Sequence, residues 1–110
     1  MINSGYTAAQ AILTNNVRPD ALLCCNDIMA LAAIDAARDL GFLTSDDLSL
    51  IGFDDIPMVG WTSYRLTTIR QPIIRMINEV VDLIEVGAKV PLHEMTTSIL
   101  PGKLMVRGSA

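Results

Sequence analysis

One stretch decides the fold: residues 21–55, ALLCCNDIMALAAIDAARDLGFLTSDDLSLIGFDD. Two short apolar runs in it each end in a polar pair, Asn26-Asp27 after the first run and Asp54-Asp55 after the second. A helix rich in small residues is predicted between the runs, so the stretch reads as one βαβ unit. A right-handed crossover through this helix makes the two strands parallel. Both polar pairs lie at the carboxyl edge of the predicted sheet, where open α/β sheets bind ligands.

The segment between the runs has the features of a helix that packs closely on a sheet. Asn26 or Asp27 is placed to cap its amino end, and Gly41 supplies the C′ position. An apolar stripe at helical spacing connects them, made of Ala30, Ala33, Ile34, Ala37 and Leu40. Because the flanking runs show no polar alternation, we expect strands covered on both faces in a three-layer, helix-covered parallel sheet.

Further helices are predicted on both sides of this unit. Ser4 is the expected N-cap of a first helix over residues 5–14. Pro72 suits the first turn of a later helix, which carries a broad apolar stripe and closes at Gly87. An extended piece at residues 66–69 precedes that helix.

Composition bounds the class of protein. The chain has 110 residues, of which 51% are hydrophobic, as expected for one globular α/β domain. Its formal net charge of -4 argues against DNA binding by this segment itself, because phosphate contacts need a basic patch. The sequence shows neither a secretory signal nor an apolar run of membrane-spanning length. We therefore expect a cytoplasmic protein that does not enter membranes.

Four motifs in order resemble the lactose-repressor/galactose-repressor (LacI/GalR) family of transcriptional regulators. They are LCCNDIMAL at residues 23–31, LSLIGFDDIP at 48–57, LTTIRQP at 66–72 and LMVRGS at 104–109. The resemblance implies the carboxyl-terminal part of a type I periplasmic-binding-protein-like fold, in which an effector lies in a cleft between two lobes.

The resemblance also implies a division of the chain. Residues up to about 68 would belong to the second lobe, 69–71 to a hinge, 72–98 to a helix segment of the first lobe, and 99–110 to a strand returning to the second lobe. The DNA-binding helix-turn-helix head and most of the first lobe would lie outside these residues.

Two side chains at the predicted sheet edge are candidate ligand contacts. Asn26 offers donors and an acceptor and Asp54 offers acceptors, a combination suited to a sugar or related polyol. From the residues alone, an N-cap at Asn26 and an Asx turn at Asp54 are the alternatives. The resemblance implies that both contact the effector, while Asp27 and Asp55 act as caps or structural anchors.

Two further roles follow from the resemblance. Gln71, at the hinge, matches a position that reaches the effector; the alternative is a solvent-facing side chain before proline.

The family's dimer contacts include the first helix and the loop after the second strand, so a homodimer is expected. Its candidate interface residues are Tyr6, Ala9, Leu13 and Trp61. A core role is the alternative for the apolar helix residues, and ligand stacking is the alternative for Trp61.

Catalysis and metal binding are not expected. Adjacent carboxylates such as Asp46-Asp47 point apart in an extended chain, and His93 lies in a separate polar loop. Cys24 and Cys25 read as reduced core residues with neither metal spacing nor a redox motif. No nucleophile elbow or phosphate-binding glycine loop occurs. We therefore predict no catalytic residue, no metal and no cofactor.

These observations predict the effector-sensing part of a LacI/GalR-type regulator, which modulates DNA binding through a head outside these residues. Two alternatives stay open. One is a fragment of a periplasmic sugar-binding protein of a transporter, which shares the fold. The other is a truncated, non-functional regulator whose exposed apolar helix drives self-association.

Overall fold

The computed structural model describes residues 2–89, 91 and 97–110, so His93 lies outside the described residues. The elements, in order, are α1 (Ile2–Leu13), β1 (Ala21–Leu23), α2 (Asp27–Asp39), β2 (Ser49–Asp54), a 3₁₀ turn (Pro57–Gly60), β3 (Thr67–Arg70), α3 (Ile73–Gly87) and β4 (Lys103–Met105). The chain divides into two compact units. Unit 1 is Met1–Arg70 with Leu104–Ala110, and unit 2 is Gln71–Lys103. The assignment of these units to lobes of a longer protein stays a prediction.

The described strands form one sheet in the order β1-β2-β3-β4. Strands β1 and β2 are parallel, with Leu23 opposite Ile51, and β2 and β3 are parallel, with Gly52 opposite Thr68. The βαβ prediction for residues 21–55 is therefore confirmed, and with it the α/β fold class.

The ends of α2 follow from two residues. Asn26 is the N-cap, because its Oδ1 accepts a hydrogen bond from the Met29 N–H at 2.9 Å. At the other end Gly41 has a φ of +83°, a conformation that glycine adopts without a steric penalty. The open choice between Asn26 and Asp27 as cap is thus settled in favour of Asn26.

Helices α1 and α2 pack together to form the core of unit 1. Gly5 allows their close approach, since a Cβ at this position would lie 3.1 Å from the Met29 Cα. The alanines of α2 leave little bulk between helix and sheet. The larger buried apolar side chains are Leu13, Leu31, Ile34, Leu48, Leu50, Val59 and Leu66.

The expectation that both faces of the strands are covered is wrong for unit 1. Leu50 and Gly52 are buried, yet Leu23 is 75% exposed and Phe53 is 38% exposed. Burial therefore alternates along β1 and β2, which is the pattern of strands covered on one face, whereas Thr67 and Thr68 of β3 are both buried. An apolar run without polar residues does not reveal which of its faces the neighbouring helices will cover.

Two local predictions are also corrected. Helix α1 begins at Ile2, so Ser4 lies in its first turn and is not the N-cap. No helix-breaking residue precedes Ser4, and the helix continues past it on the amino side.

Cys24 is half-buried, and burial raises the pKa of its thiol. Cys25 is exposed, so a core role for Cys25 is wrong.

Helix α3 carries the predicted apolar stripe and buries none of its residues. Its exposed apolar side chains include Ile73, Ile74, Ile77, Val80, Val81 and Ile84. Contiguous exposed apolar surfaces mark interaction sites or surfaces that promote aggregation. Among the described helices none has the length and apolar character required to cross a membrane.

The last residues tie β2 to β3. The Ser109 hydroxyl donates to the Leu50 carbonyl at 2.7 Å and accepts from the Thr67 N–H at 2.8 Å. The Ser109 carbonyl accepts from the Leu50 N–H at 2.8 Å. Ser109 is completely buried, so one residue satisfies backbone groups of two neighbouring strands in the interior.

Candidate functional site

The two predicted ligand contacts follow neighbouring strands of the sheet. Paired residues of β1 and β2 differ by 28 positions, as Ala21 and Ser49 do, and Asn26 and Asp54 differ by the same number. Because the strands are parallel, their carboxyl ends meet at one edge of the sheet, where Asn26 follows β1 and Asp54 ends β2. This is the edge at which open α/β sheets bind ligands.

Asn26 has a structural role at the start of α2. Its Oδ1 caps α2 through the Met29 N–H, while the Nδ2 group is on the other arm of the amide. The N-cap alternative is correct for Asn26, and its contact with an effector stays a prediction.

Asp54 and Asp55 occupy strained backbone. Asp54 has a φ of +129° and Asp55 a φ of +62°, a region that side chains other than glycine seldom adopt. Such strain persists only where the surroundings impose it, and it concentrates at functional sites. Two successive aspartates in this conformation place the end of β2 among the candidate sites of the molecule.

Asp27 is an anchor at the same edge. It is completely buried, and its Oδ1 accepts from the Thr68 hydroxyl at 2.6 Å. Its Oδ2 accepts from the Ile56 N–H at 2.9 Å. The carboxylate thus joins the start of α2 to β3 and to the segment after β2, which confirms the structural role predicted for Asp27.

Asp55 is the second anchor, with a side chain that is 5% exposed. Its Oδ2 accepts from Arg70 Nε at 2.5 Å and its Oδ1 from Arg107 Nη2 at 2.7 Å. Burial of the carboxylate raises its pKa, but the hydrogen bonds and charges of Arg107 and Arg70 together outweigh burial and hold the pKa below its usual range. The anchoring role predicted for Asp55 is confirmed.

Acidification is expected to remove the stabilisation that Asp55 provides. Its folded-state pKa lies below the unfolded value of about 4, so the contribution is complete above that value and is lost as the pH falls through the folded pKa. The difference in unfolding free energy between the chain and Asp55→Asn should be constant from about pH 7 to about pH 5 and shrink below about pH 4. Urea titrations at several pH values measure it, and a difference that persists undiminished in acid would contradict the assignment.

Gln71 is the first residue of unit 2 and is half-buried. Its carbonyl accepts from the Ile73 N–H at 2.9 Å, at the start of α3. Its contact with an effector stays a prediction.

The candidate dimer residues have different surroundings. Ala9 and Leu13 are buried in the core of unit 1, so the core role left open for them applies. Tyr6 is half-buried, and its hydroxyl donates to Asp39 Oδ2 at 2.5 Å. Trp61 is 58% exposed and borders a cavity of about 190 Å³ that also includes Tyr64. Trp61 and Tyr6 are therefore the side chains that remain for an interface.

Sequence reasoning missed the partners of the anchors: Thr68, Arg70 and Arg107. Each lies in one of the four family-like motifs, LTTIRQP or LMVRGS, and that membership was the available signal. Their pairing with Asp27 and Asp55 spans 15 to 52 positions and carries no local pattern.

Within the described residues, no group of three or more His, Cys, Asp or Glu side chains is arranged to hold a metal ion.

Comparison with known proteins agrees with this architecture. Residues 2–110 match the family model of the periplasmic binding protein-like domain. The HTH-type transcriptional regulator MalR of Streptomyces coelicolor is 38% identical over 109 residues, which are 98% of this chain and 31% of the relative. The chain thus spans about a third of the length of this curated relative.

Solved structures show the same fold. A LacI family transcriptional regulator from Arthrobacter, in complex with lactose, superposes with a TM-score of 0.85 at 27% identity over 99% of this chain and 41% of that chain. The dimeric Lac repressor gives a TM-score of 0.84 at 28% identity over 98% of this chain and 39% of that chain.

The parallel sheet, with its polar carboxyl edge, is thus that of a periplasmic-binding-protein-like domain, and the chain belongs to that family. The resemblance to LacI/GalR regulators is confirmed, and the chain corresponds to part of their effector-binding domain.

Proposed function

We propose that this chain binds a sugar-like effector, with Asn26 and Asp54 as contacts and Gln71 as a third. The observation that carries the proposal is the strained backbone of Asp54 at the carboxyl end of β2, on the same edge of the sheet as Asn26, which follows β1. A carboxylate that accepts hydrogen bonds from sugar hydroxyls forms charge-assisted bonds, and the Asn26 amide supplies donors to other oxygens.

The regulatory role belongs to the same proposal. Effector binding in a cleft between two lobes would favour one arrangement of the lobes and so shift the population of dimers competent to bind DNA. With a net charge of -4, the chain itself is a poor match for DNA, which a helix-turn-helix head outside these residues would contact. The proposal places the protein in the cytoplasm and assigns it no catalytic step.

A binding protein of a transporter is the competing class because it shares the fold. The similarity to MalR, an HTH-type regulator, favours the regulator. The coding sequence upstream of Met1 discriminates between the two. A helix-turn-helix there supports the regulator, whereas an export signal supports the transporter protein.

Sugar binding is expected to be weak in the isolated chain and to depend on Asp54. By the resemblance, one wall of the cleft comes from residues outside this chain, so calorimetry should detect no micromolar binding. Lactose serves as the probe because a relative binds it. Added to about 20 mM, it should shift the backbone amide resonances of Asn26 and Asp54 with a dissociation constant of about 1–20 mM. Asp54→Asn should weaken this binding at least about tenfold, since the ligand hydroxyls lose an ionised acceptor.

Two variants complete this experiment. Asn26→Asp keeps the capping oxygen but removes the amide donors, so lactose binding should fall while the melting temperature stays near that of the parent. Asp20→Asn makes the same charge change at the amino end of β1 and should bind lactose like the parent. An unchanged lactose titration in both Asp54→Asn and Asn26→Asp would refute the site.

We also propose a homodimer whose interface includes Trp61 and Tyr6. The dimeric Lac repressor is a structural neighbour, and Trp61 is exposed beside an apolar cavity. Large aromatic side chains dominate the binding energy of interfaces, so Trp61→Ala should raise the dimer dissociation constant at least about tenfold. Light scattering over a dilution series measures it, with Val17→Ala, at another exposed apolar position, as the control. Equal dissociation constants for Trp61→Ala and the parent would exclude Trp61 from the interface.

A further inference from the structure

Asp55 connects three parts of unit 1 that are distant in sequence. It follows Asp54, the proposed effector contact, and each of its two oxygens accepts from a different arginine. An amide at this position would present one oxygen and one NH₂ group, and the NH₂ group would face a guanidinium that also only donates. Only a carboxylate satisfies Arg70 and Arg107 together.

The two arginines mark the places where the chain leaves and re-enters unit 1. Arg70 is the last residue of unit 1 before the chain passes into unit 2. Unit 1 resumes at Leu104, and Arg107 follows three positions later. These two passages between the units are called the crossings below.

Both arginines are also fixed to the sheet. Arg70 lies opposite Asp54 in the β2–β3 register. Arg107 donates from Nη1 to the Leu66 carbonyl at 2.9 Å and from its backbone N–H to Thr67 Oγ1 at 2.9 Å. Two ion pairs of Asp55 therefore connect the end of β2 to strand β3 and to the carboxyl-terminal segment.

We propose that Asp55 is the positioning residue that links the effector end of β2 to both crossings. Effector binding at Asp54 then changes the environment of Arg70 and of Arg107. The effector part of this statement rests on the proposed function. The link itself rests only on the contacts of Asp55, and the two parts are tested separately.

The link is tested by amide hydrogen exchange of the 110-residue chain, followed by NMR. Asp55→Asn should raise exchange at the Arg70 and Arg107 amides at least about tenfold while changing the amides of α2 less than about twofold. Asp46→Asn makes the same charge change at an exposed position and should exchange like the parent. Arg107→Gln should raise exchange at the amide of position 107 only, and adding it to Asp55→Asn should change that amide little further, because both changes remove the Asp55–Arg107 ion pair.

The transmission is tested by adding lactose to the same variants. In the parent, lactose should shift the Arg70 and Arg107 amides as well as those of Asn26 and Asp54. In Asp55→Asn the shifts at Asn26 and Asp54 should persist, and those at the two arginines should be lost. A purely structural role for Asp55 would leave the lactose response of the arginines in place wherever lactose still binds.

The outcomes separate the two proposals. If lactose shifts no amide of the parent, the proposed function is contradicted, while the exchange data still decide the link. If Asp55→Asn raises exchange evenly over unit 1, or at neither arginine, the link is wrong. If the arginine amides of Asp55→Asn respond to lactose as in the parent, Asp55 does not transmit occupancy.

Discussion

Gly52→Ala is expected to lower the free energy of unfolding by about 3–5 kcal/mol. A Cβ at this position would overlap Asp27 Oδ1 and lie 2.9 Å from Leu66 Cδ2. The Asp27 carboxylate is fully buried and held by donors from Thr68 and Ile56, so it cannot withdraw without breaking hydrogen bonds to a charged group. The methyl group therefore either overpacks the sheet or displaces the anchor of α2.

Urea unfolding followed by circular dichroism measures this loss. The matched control is Gly60→Ala, because a Cβ at Gly60 meets no heavy atom within 4 Å. The control should unfold within about 1 kcal/mol of the parent. Equal midpoints for Gly52→Ala and Gly60→Ala would show that the Asp27 anchor accommodates a methyl group, contrary to the packing described.

Ser109→Ala is expected to cost about 2–4 kcal/mol of unfolding free energy. Removal of one hydroxyl leaves two buried backbone groups without that partner, the Leu50 carbonyl and the Thr67 N–H. Water cannot readily replace the hydroxyl, because Ser109, Leu50 and Thr67 are all buried. The loss therefore approaches the full desolvation penalty of the two groups and exceeds the value of one ordinary hydrogen bond.

The same urea experiment tests this prediction, with Ser63→Ala at an exposed position as the control. Hydrogen exchange adds a local measurement, since the Thr67 amide should lose protection in Ser109→Ala more than the amides of α1 do. A change of less than about 1 kcal/mol would mean that another acceptor takes over the Thr67 N–H.

The fold of residues 21–55 was predictable because its signals are local. The two apolar runs, the cap at Asn26 and the stop at Gly41 lie within one βαβ unit, and each gives the same answer. The face that the strands bury was not predictable in this way. Leu22 and Leu23 have the same apolar character, and only the position of α1 and α2 decides that Leu23 is exposed.

The candidate site was predictable in part. Strand ends and the family resemblance placed Asn26 and Asp54 at one edge, and the parallel register agrees with that placement. The ion pairs of Asp55 and the links made by Ser109 join residues 15 to 59 positions apart. No helical or strand period connects such residues, so pattern reasoning has no access to them.

The positive φ of Asp54 implies that thermal stability and effector binding favour different residues at position 54. Glycine adopts this backbone without strain, whereas a non-glycine residue there costs about 1–3 kcal/mol. A laboratory selection for thermal resistance alone would therefore favour glycine at position 54. Each variant selected in this way would lack the carboxylate that we assign to effector contact. The more stable variants would therefore not respond to the effector.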